Sequence, residues 1–263
     1  MSVRLTTREI TLTASLAALY IATSIVPGIP IIGGQGKISP SVILVPVYAL
    51  LLGPIVGPLT IFIGNLGSWL LPPGRPDPFS GLMIIPGVLG ALAAATAVRG
   101  RRGWLVSSGV LAALLALWYS TWVGIGAPFY PVPHVAALLI PLAAQGRLGR
   151  WLHTDNKRMA VSAALASYVG LMTDHMAGNL VFIFSIGWLL PVKLIEGWLS
   201  SMGLPSVSAL FMYMLPVSIV ERLSMTAAAT IISAALIAAL RDTGLLPEWR
   251  METERNTKSG KAR

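Results

Sequence analysis

Asp174, His175, Glu221 and Arg222 all lie inside long apolar stretches, where a chain this hydrophobic should tolerate few charges. An ionisable group in a lipid-spanning segment is costly unless it is paired or faces water, so each is a functional candidate by default. Asn65 and Asn179 are amides in similar settings, and Trp69 is the tryptophan best placed to join a binding site. Two readings are open and they overlap. Asp174 or Glu221 pairs with Arg222 and ties two helices together, or the same groups line a pocket for a polar ligand. Catalysis demands more. Asp174 and His175 are neighbours, so on a helix their side chains diverge by about 100° and cannot form an ordinary dyad. A metal site could draw on His175, Asp174 and Glu221, but that is one histidine where such sites usually take two or three. His134 and His153 read as lying elsewhere. No catalytic residue, no metal and no cofactor are expected. With no cysteine in the chain, thiolate nucleophiles, disulfides and Cys-ligated metals are excluded.

The elements that must position these residues are set by composition. Of 263 residues 55% are hydrophobic and 11% charged, with a mean hydropathy of +0.75. Soluble domains carry about 25% charged residues, so this chain lacks the polar surface to face water on all sides. Apolar stretches recur at 9–28, 38–54, 56–72, 81–98, 104–125, 131–147, 159–190 and 207–240. The sequence therefore predicts an all-α, polytopic transmembrane bundle of about eight spans over 1–240, and a disordered cytoplasmic tail over 241–263. Six spans result instead if 104–147 is a misjudged hairpin. The last two stretches are too long for one crossing, so each must be broken, tilted or extended by a surface helix. Arg4 and Arg8 precede a first stretch with no small-x-small cleavage site, which reads as a retained span.

Basic residues fix an orientation. On an eight-span chain Arg4, Arg8, Arg99, Arg101, Arg102, Arg147, Arg150, Lys157, Arg158, Arg241 and the tail cations share one side. Lys37, Arg75 and Lys193 face them from the other. Positive loops stay inside, so both termini are expected in the cytoplasm of a cell-membrane protein. The net charge of +9 is then explained by those loops, and nucleic acid is not an expected partner. Trp104, Trp118, Trp122, Trp151, Trp188 and Trp198 fall near predicted boundaries and read as interfacial anchors. At about 1.5 Å per residue, Asp174 lies some 23 Å from the cytoplasmic edge. Glu221 and Arg222 reach a similar depth on the last stretch, with Asn65 nearer the midplane.

Ala14, Ala18 and Ala22 repeat every four residues on the first helix, and such small-residue stripes let helix backbones approach closely. Internal packing and partner docking both use them. This helix (Ala14-Ser15-Leu16-Ala17-Ala18-Leu19-Tyr20-Ile21-Ala22) is followed by a Gly34-Gln35-Gly36-Lys37 loop, then Leu51-Leu52-Gly53-Pro54-Ile55-Val56-Gly57-Pro58, then Gly64-Asn65-Leu66-Gly67. The last helix carries Pro216 and Glu221-Arg222 before turning alanine-rich. In that order the pieces resemble the substrate-binding S components of energy-coupling factor (ECF) transporters, over the first hundred and last fifty residues. The resemblance implies a six-helix core, here with a hairpin inserted at 104–147. It implies binding of one small water-soluble micronutrient, a vitamin-like compound or metal chelate, near the outer face. The expected contacts are Asp174, His175, Asn179, Glu221, Arg222, Asn65 and Trp69. Release inside would be driven by a transmembrane coupling protein, docked on Ala14, Ala18 and Ala22, and by cytoplasmic ATPases. The chain itself has no Walker-type phosphate loop, in keeping with energy supplied in trans and with a chain that is not an enzyme. Two other functions compete. A stand-alone secondary carrier would use Asp174 or Glu221 to bind a proton, and an intramembrane enzyme on lipid-linked substrates would use Asp174 and His175.

Overall fold

The computed structural model describes residues 5–30, 37–72, 74, 76–100 and 102–241. Arg4, Arg75, Arg101, the Gly34-Gln35-Gly36 loop and the tail beyond Arg241 lie outside the described residues. Among the described residues eleven α-helices dominate: α1 (Thr7–Ser24), α2 (Leu44–Leu70), α3 (Pro78–Leu82), α4 (Ile84–Ala97), α5 (Gly103–Ser120), α6 (Trp122–Gly126), α7 (Val132–Ala144), α8 (Arg147–Trp151), α9 (Asn156–Ser185), α10 (Val192–Ser201) and α11 (Val207–Leu240). A two-residue antiparallel pairing, Ile29–Pro30 with Lys37–Ile38, joins α1 to a 3-10 turn at Pro40–Ile43 that leads into α2. The class is all-α, as the composition predicts.

Among the described residues four helical stretches are long and apolar enough to cross a membrane: Pro40–Leu70, Pro78–Ala97, Gly103–Ser120 and Val207–Leu240. Local chemistry sets where the helices begin. Thr6 and Glu9 make a reciprocal capping box on α1. Asp155 caps α9 and Ser206 caps α11 through side-chain oxygens. At Asp155, the backbone N–H of Arg158 holds the carboxyl below its usual range. The two longest predicted stretches contain unbroken helices: α9 of 30 residues, and α11 of 34 that runs through Pro216. After α9 the chain turns at Gly187 and adds the short helix α10, of which only Ile195 is buried.

The stretch Pro40–Leu70 is folded in two. Gly53 takes φ 83° and ψ −173° inside it, a backbone geometry open to glycine almost alone. Pro54 follows, and a proline steers the residue before it away from the helical region. The arms then pack against each other. A Cβ on Gly57 would sit 2.9 Å from the Ala49 Cα and 3.1 Å from the Tyr48 carbonyl oxygen. In a straight helix Gly57 and Ala49 would be about 12 Å apart. The break between the predicted stretches 38–54 and 56–72 is thus a helical hairpin whose two free ends lie side by side.

α4 lies between α2 and α9 and is almost featureless on its inner faces. Ala91, Ala93, Ala94, Ala95 and Ala97 are all buried. Gly90 and Gly170 mark the crossing with α9: a Cβ on Gly90 would approach the Gly170 carbonyl oxygen and the Asp174 Cβ to 2.8 Å. Small residues bring these backbones together, and that contact sets where Asp174 stands. A second core cluster fills the space between α5, α7, α9 and α11 around Trp118, which stacks on Tyr130 and meets Phe211 edge-on. Trp118 is 0% exposed. The reading of Trp118 as an interfacial anchor is therefore overturned, because it packs on aromatic neighbours. Trp122 and Trp188 are exposed, as anchors would be.

Candidate functional site

The structure brings the buried charges together. Arg222 on α11 lies between two carboxylates, with its Nη2 2.8 Å from Glu221 Oε1 and its Nη1 3.6 Å from Asp174 Oδ2 on α9. All three side chains are only 12–14% exposed. The matched depths read from the sequence thus correspond to one cluster spanning two helices. Asp174 and Glu221 carry one more formal charge than Arg222 balances.

His175 turns the other way, as the 100° divergence requires. Its Nε2 meets the Tyr130 hydroxyl at 3.3 Å, and that hydroxyl also accepts from the Asn179 amide at 3.0 Å. Asn179 and His175 therefore belong to a branch organised by Tyr130. His134 on α7 joins it: its ring stacks on His175 with centroids 5.2 Å apart. The expectation that His134 lies elsewhere is corrected here. The short segment Ala127–Pro131 turns the chain back from α6 into α7, across the face of α9. Among the described residues no group of three or more His, Asp or Glu side chains could hold a metal ion.

Asn65 faces the same side of α4 as Asp174, Gly87 meeting the one and Gly90 the other. It accepts from the Tyr20 hydroxyl at 3.1 Å and donates to the Ile61 carbonyl at 3.0 Å. Gly87 lies directly behind it, where a Cβ would come within 3.1 Å of the Asn65 amide nitrogen. Tyr20 is close enough to Asp174 to feel its charge, and it also reaches Ser41. A polar layer thus crosses the bundle from α1 through Asn65 and Asp174 to Arg222.

Above Asn65 opens a cavity of about 380 Å³, lined by Tyr20, Ser24, Ser39, Ser41, Asn65 and Ser68, with Leu71, Pro72 and Gly74 at its edge. The folded α2 explains how residues so far apart in sequence line one space, since both arms end there beside the C-terminal end of α1. Ser24 donates to the Ser68 hydroxyl at 2.8 Å across that junction. The sequence reading missed these hydroxyls. Tyr20 with Ser24 (i, i+4) and Asn65 with Ser68 (i, i+3) each share one helix face, and that spacing is the signal that could have found them.

Trp69 does not line this cavity. Its indole N–H donates to the Asp77 carbonyl at 3.1 Å and its ring covers Gly81, so it fastens α2 to α3. Asp77 caps α3, and its carboxyl is held below its usual range by hydrogen bonds from the Ser80 hydroxyl and amide. Ala14, Ala18 and Ala22 are all exposed, while Thr13, Ala17 and Tyr20 on the other face of α1 are buried. The alanine stripe is left unused by packing among the described residues.

No family model matches this chain, and no solved structure matches it. An uncharacterized protein of Methanocaldococcus jannaschii is 33% identical over 153 residues, which is 58% of this chain and 50% of that protein. The chain thus spans about half the length of the curated relative it matches.

Proposed function

We propose that this chain is the substrate-binding membrane subunit of an uptake system of the energy-coupling factor type. It crosses the membrane about eight times with both termini in the cytoplasm. It takes up a small water-soluble micronutrient, and a coupling protein with ATPases powers release in trans. The observation that carries this reading is the hydroxyl-lined cavity at the ends of α1 and the α2 hairpin. Its 380 Å³ falls within the range of about 300–1,000 Å³ usual for small-molecule sites. Hydroxyls and one amide suit a ligand with several hydrogen-bonding groups, and Asp174 and Arg222 lie behind the Tyr20–Asn65 floor. The exposed alanine stripe on α1 gives a partner helix a smooth surface for close approach. A second reading, a stand-alone carrier, draws on the unequal charges around Arg222.

Two measurements test the proposal. Single cysteines are clean reporters because the chain has none of its own. In whole cells a cysteine at Trp188 should react with an impermeant thiol reagent, and one at Lys157 should not; labelling at Lys157 would reverse the orientation. Native mass spectrometry of the purified protein should reveal a bound small molecule. Asn65→Leu should lose it. Ala18→Trp should keep it yet fail to co-purify a coupling protein and ATPases. A wild-type chain that purifies from its own host without such partners would instead support the stand-alone carrier.

A further inference from the structure

A second cavity, of about 130 Å³, lies on the far side of α9 from the hydroxyl-lined one. Its floor is α9, through Tyr168, Met172 and His175, and its sides are α7 and α11, which each pack on α9. The mouth opens sideways. Val132, Ile219 and Leu223 line it and are 58%, 37% and 54% exposed, so in a membrane the opening faces lipid.

Four buried polar atoms on the residues lining this space have no hydrogen-bond partner among the described residues. They are both ring nitrogens of His134, Nδ1 of His175 and Nε of Arg222. His134 is 1% exposed. Buried polar groups are rarely left unpaired because each forfeits its bonds to water. The chemistry of the atoms restricts what could satisfy them. The guanidinium Nε–H can only donate, so it needs an acceptor. A neutral imidazole offers one donor and one acceptor; in His134 the donor has only a poorly aligned contact with the Pro131 backbone, and the acceptor has none. The remaining walls are apolar side chains, Ser218, and the rings of Tyr130, Tyr168, His134 and His175, of which the two imidazoles stack.

We propose that this groove is a ligand site, distinct from the hydroxyl-lined cavity, for a small neutral single-ring heterocycle with a ring amide that enters from the bilayer. The ring carbonyl accepts from Arg222, the ring N–H donates to an imidazole nitrogen, and the ring faces lie against the aromatic and aliphatic walls. The size agrees, since an apolar cavity of about 150 Å³ accommodates benzene. Neutrality follows from the entrance, because a charged molecule does not approach through hydrocarbon.

The test uses the full chain in lipid nanodiscs with 5-fluoro-2-pyridone and fluorobenzene as probes, read by fluorine NMR against empty nanodiscs. Saturable binding of the pyridone is expected, weakened by about tenfold or more in His134→Leu, the scale of one lost hydrogen bond to a buried group, while fluorobenzene binding persists. Ala136→Phe, at the exposed rim of the groove, should block the pyridone without lowering the melting temperature, and it decides the matter if His134→Leu does not fold. Ser41→Phe, which fills the other cavity, should leave pyridone binding unchanged. Absence of saturable pyridone binding to the native chain would overturn the proposal. So would equal binding to native and His134→Leu protein, since the groove would then be only an apolar void. Loss of binding in Ser41→Phe but not in Ala136→Phe would overturn it too, placing the probe in the hydroxyl-lined cavity. Failure here leaves the uptake reading intact, and failure of co-purification or ligand retention there leaves this site intact.

Discussion

Replacing Arg222 with methionine is expected to destabilise the protein by about 3–5 kcal/mol, the usual cost of removing one partner from a buried ion pair. The guanidinium is the group that Asp174 and Glu221 share, at 3.6 Å and 2.8 Å. Without it two carboxylates face each other in a site that is mostly closed to water, across the junction of α9 and α11. Glu221→Gln should be milder. It leaves Asp174 beside the guanidinium, so one full pair survives and the excess negative charge disappears. The triple variant Asp174→Asn, Glu221→Gln, Arg222→Met should recover most of the loss, because it strands no charge. This non-additivity separates an ion cluster from three independent contacts. Thermal unfolding of the purified variants in one detergent reads the effect. If Arg222→Met melts with the wild type, the carboxylates have access to water. The cluster would then stand in a wet cavity and would not clamp the two helices.

The architecture was largely legible because long apolar runs impose a coarse rule on the fold. A run of apolar residues bounded by Gly, Pro or Arg has few options beyond a helix, and the predicted stretches coincide with α1, the two arms of α2, α4, α5, α7, α9 and α11. The depth argument worked for Asp174, Glu221 and Arg222 because α9 and α11 are unbroken and rise by a constant step. The argument carried no information about rotation around the helix axes. It therefore could not distinguish the Asp174 side of α9 from the His175 side, and it grouped Asn179 with the carboxylates. His134 and Trp118 were misplaced for a related reason. Both depend on how α5 to α7 fold over α9, and turns at Thr121 and Pro131 decide that without leaving any hydrophobic period to read. The hydroxyl-lined cavity was hidden by distance in sequence. Ser41 and Ser68 come together only because the chain reverses at Gly53.

That reversal makes Gly53→Val the substitution expected to do most to the proposed site. Valine at φ 83°, ψ −173° is a β-branched side chain in a region that only glycine populates freely. Backbone strain of this kind costs about 1–3 kcal/mol even for more tolerant residues. The helical alternative is closed as well, because Pro54 disfavours it at the preceding residue. The arms must therefore splay, and the close approach of Gly57 to Ala49 is lost with them. Spin labels on cysteines replacing Ser41 and Ser68 report this directly, since both residues line the one cavity. In the native background the labels should lie on opposite walls of that cavity and couple strongly. Gly53→Val should lengthen and broaden their distance distribution and release any bound ligand, whereas Gly53→Asn, which better tolerates positive φ, should do less of both. A native distance near 40 Å, as a straight helix would give at about 1.5 Å per residue, would refute the hairpin and the cavity it builds.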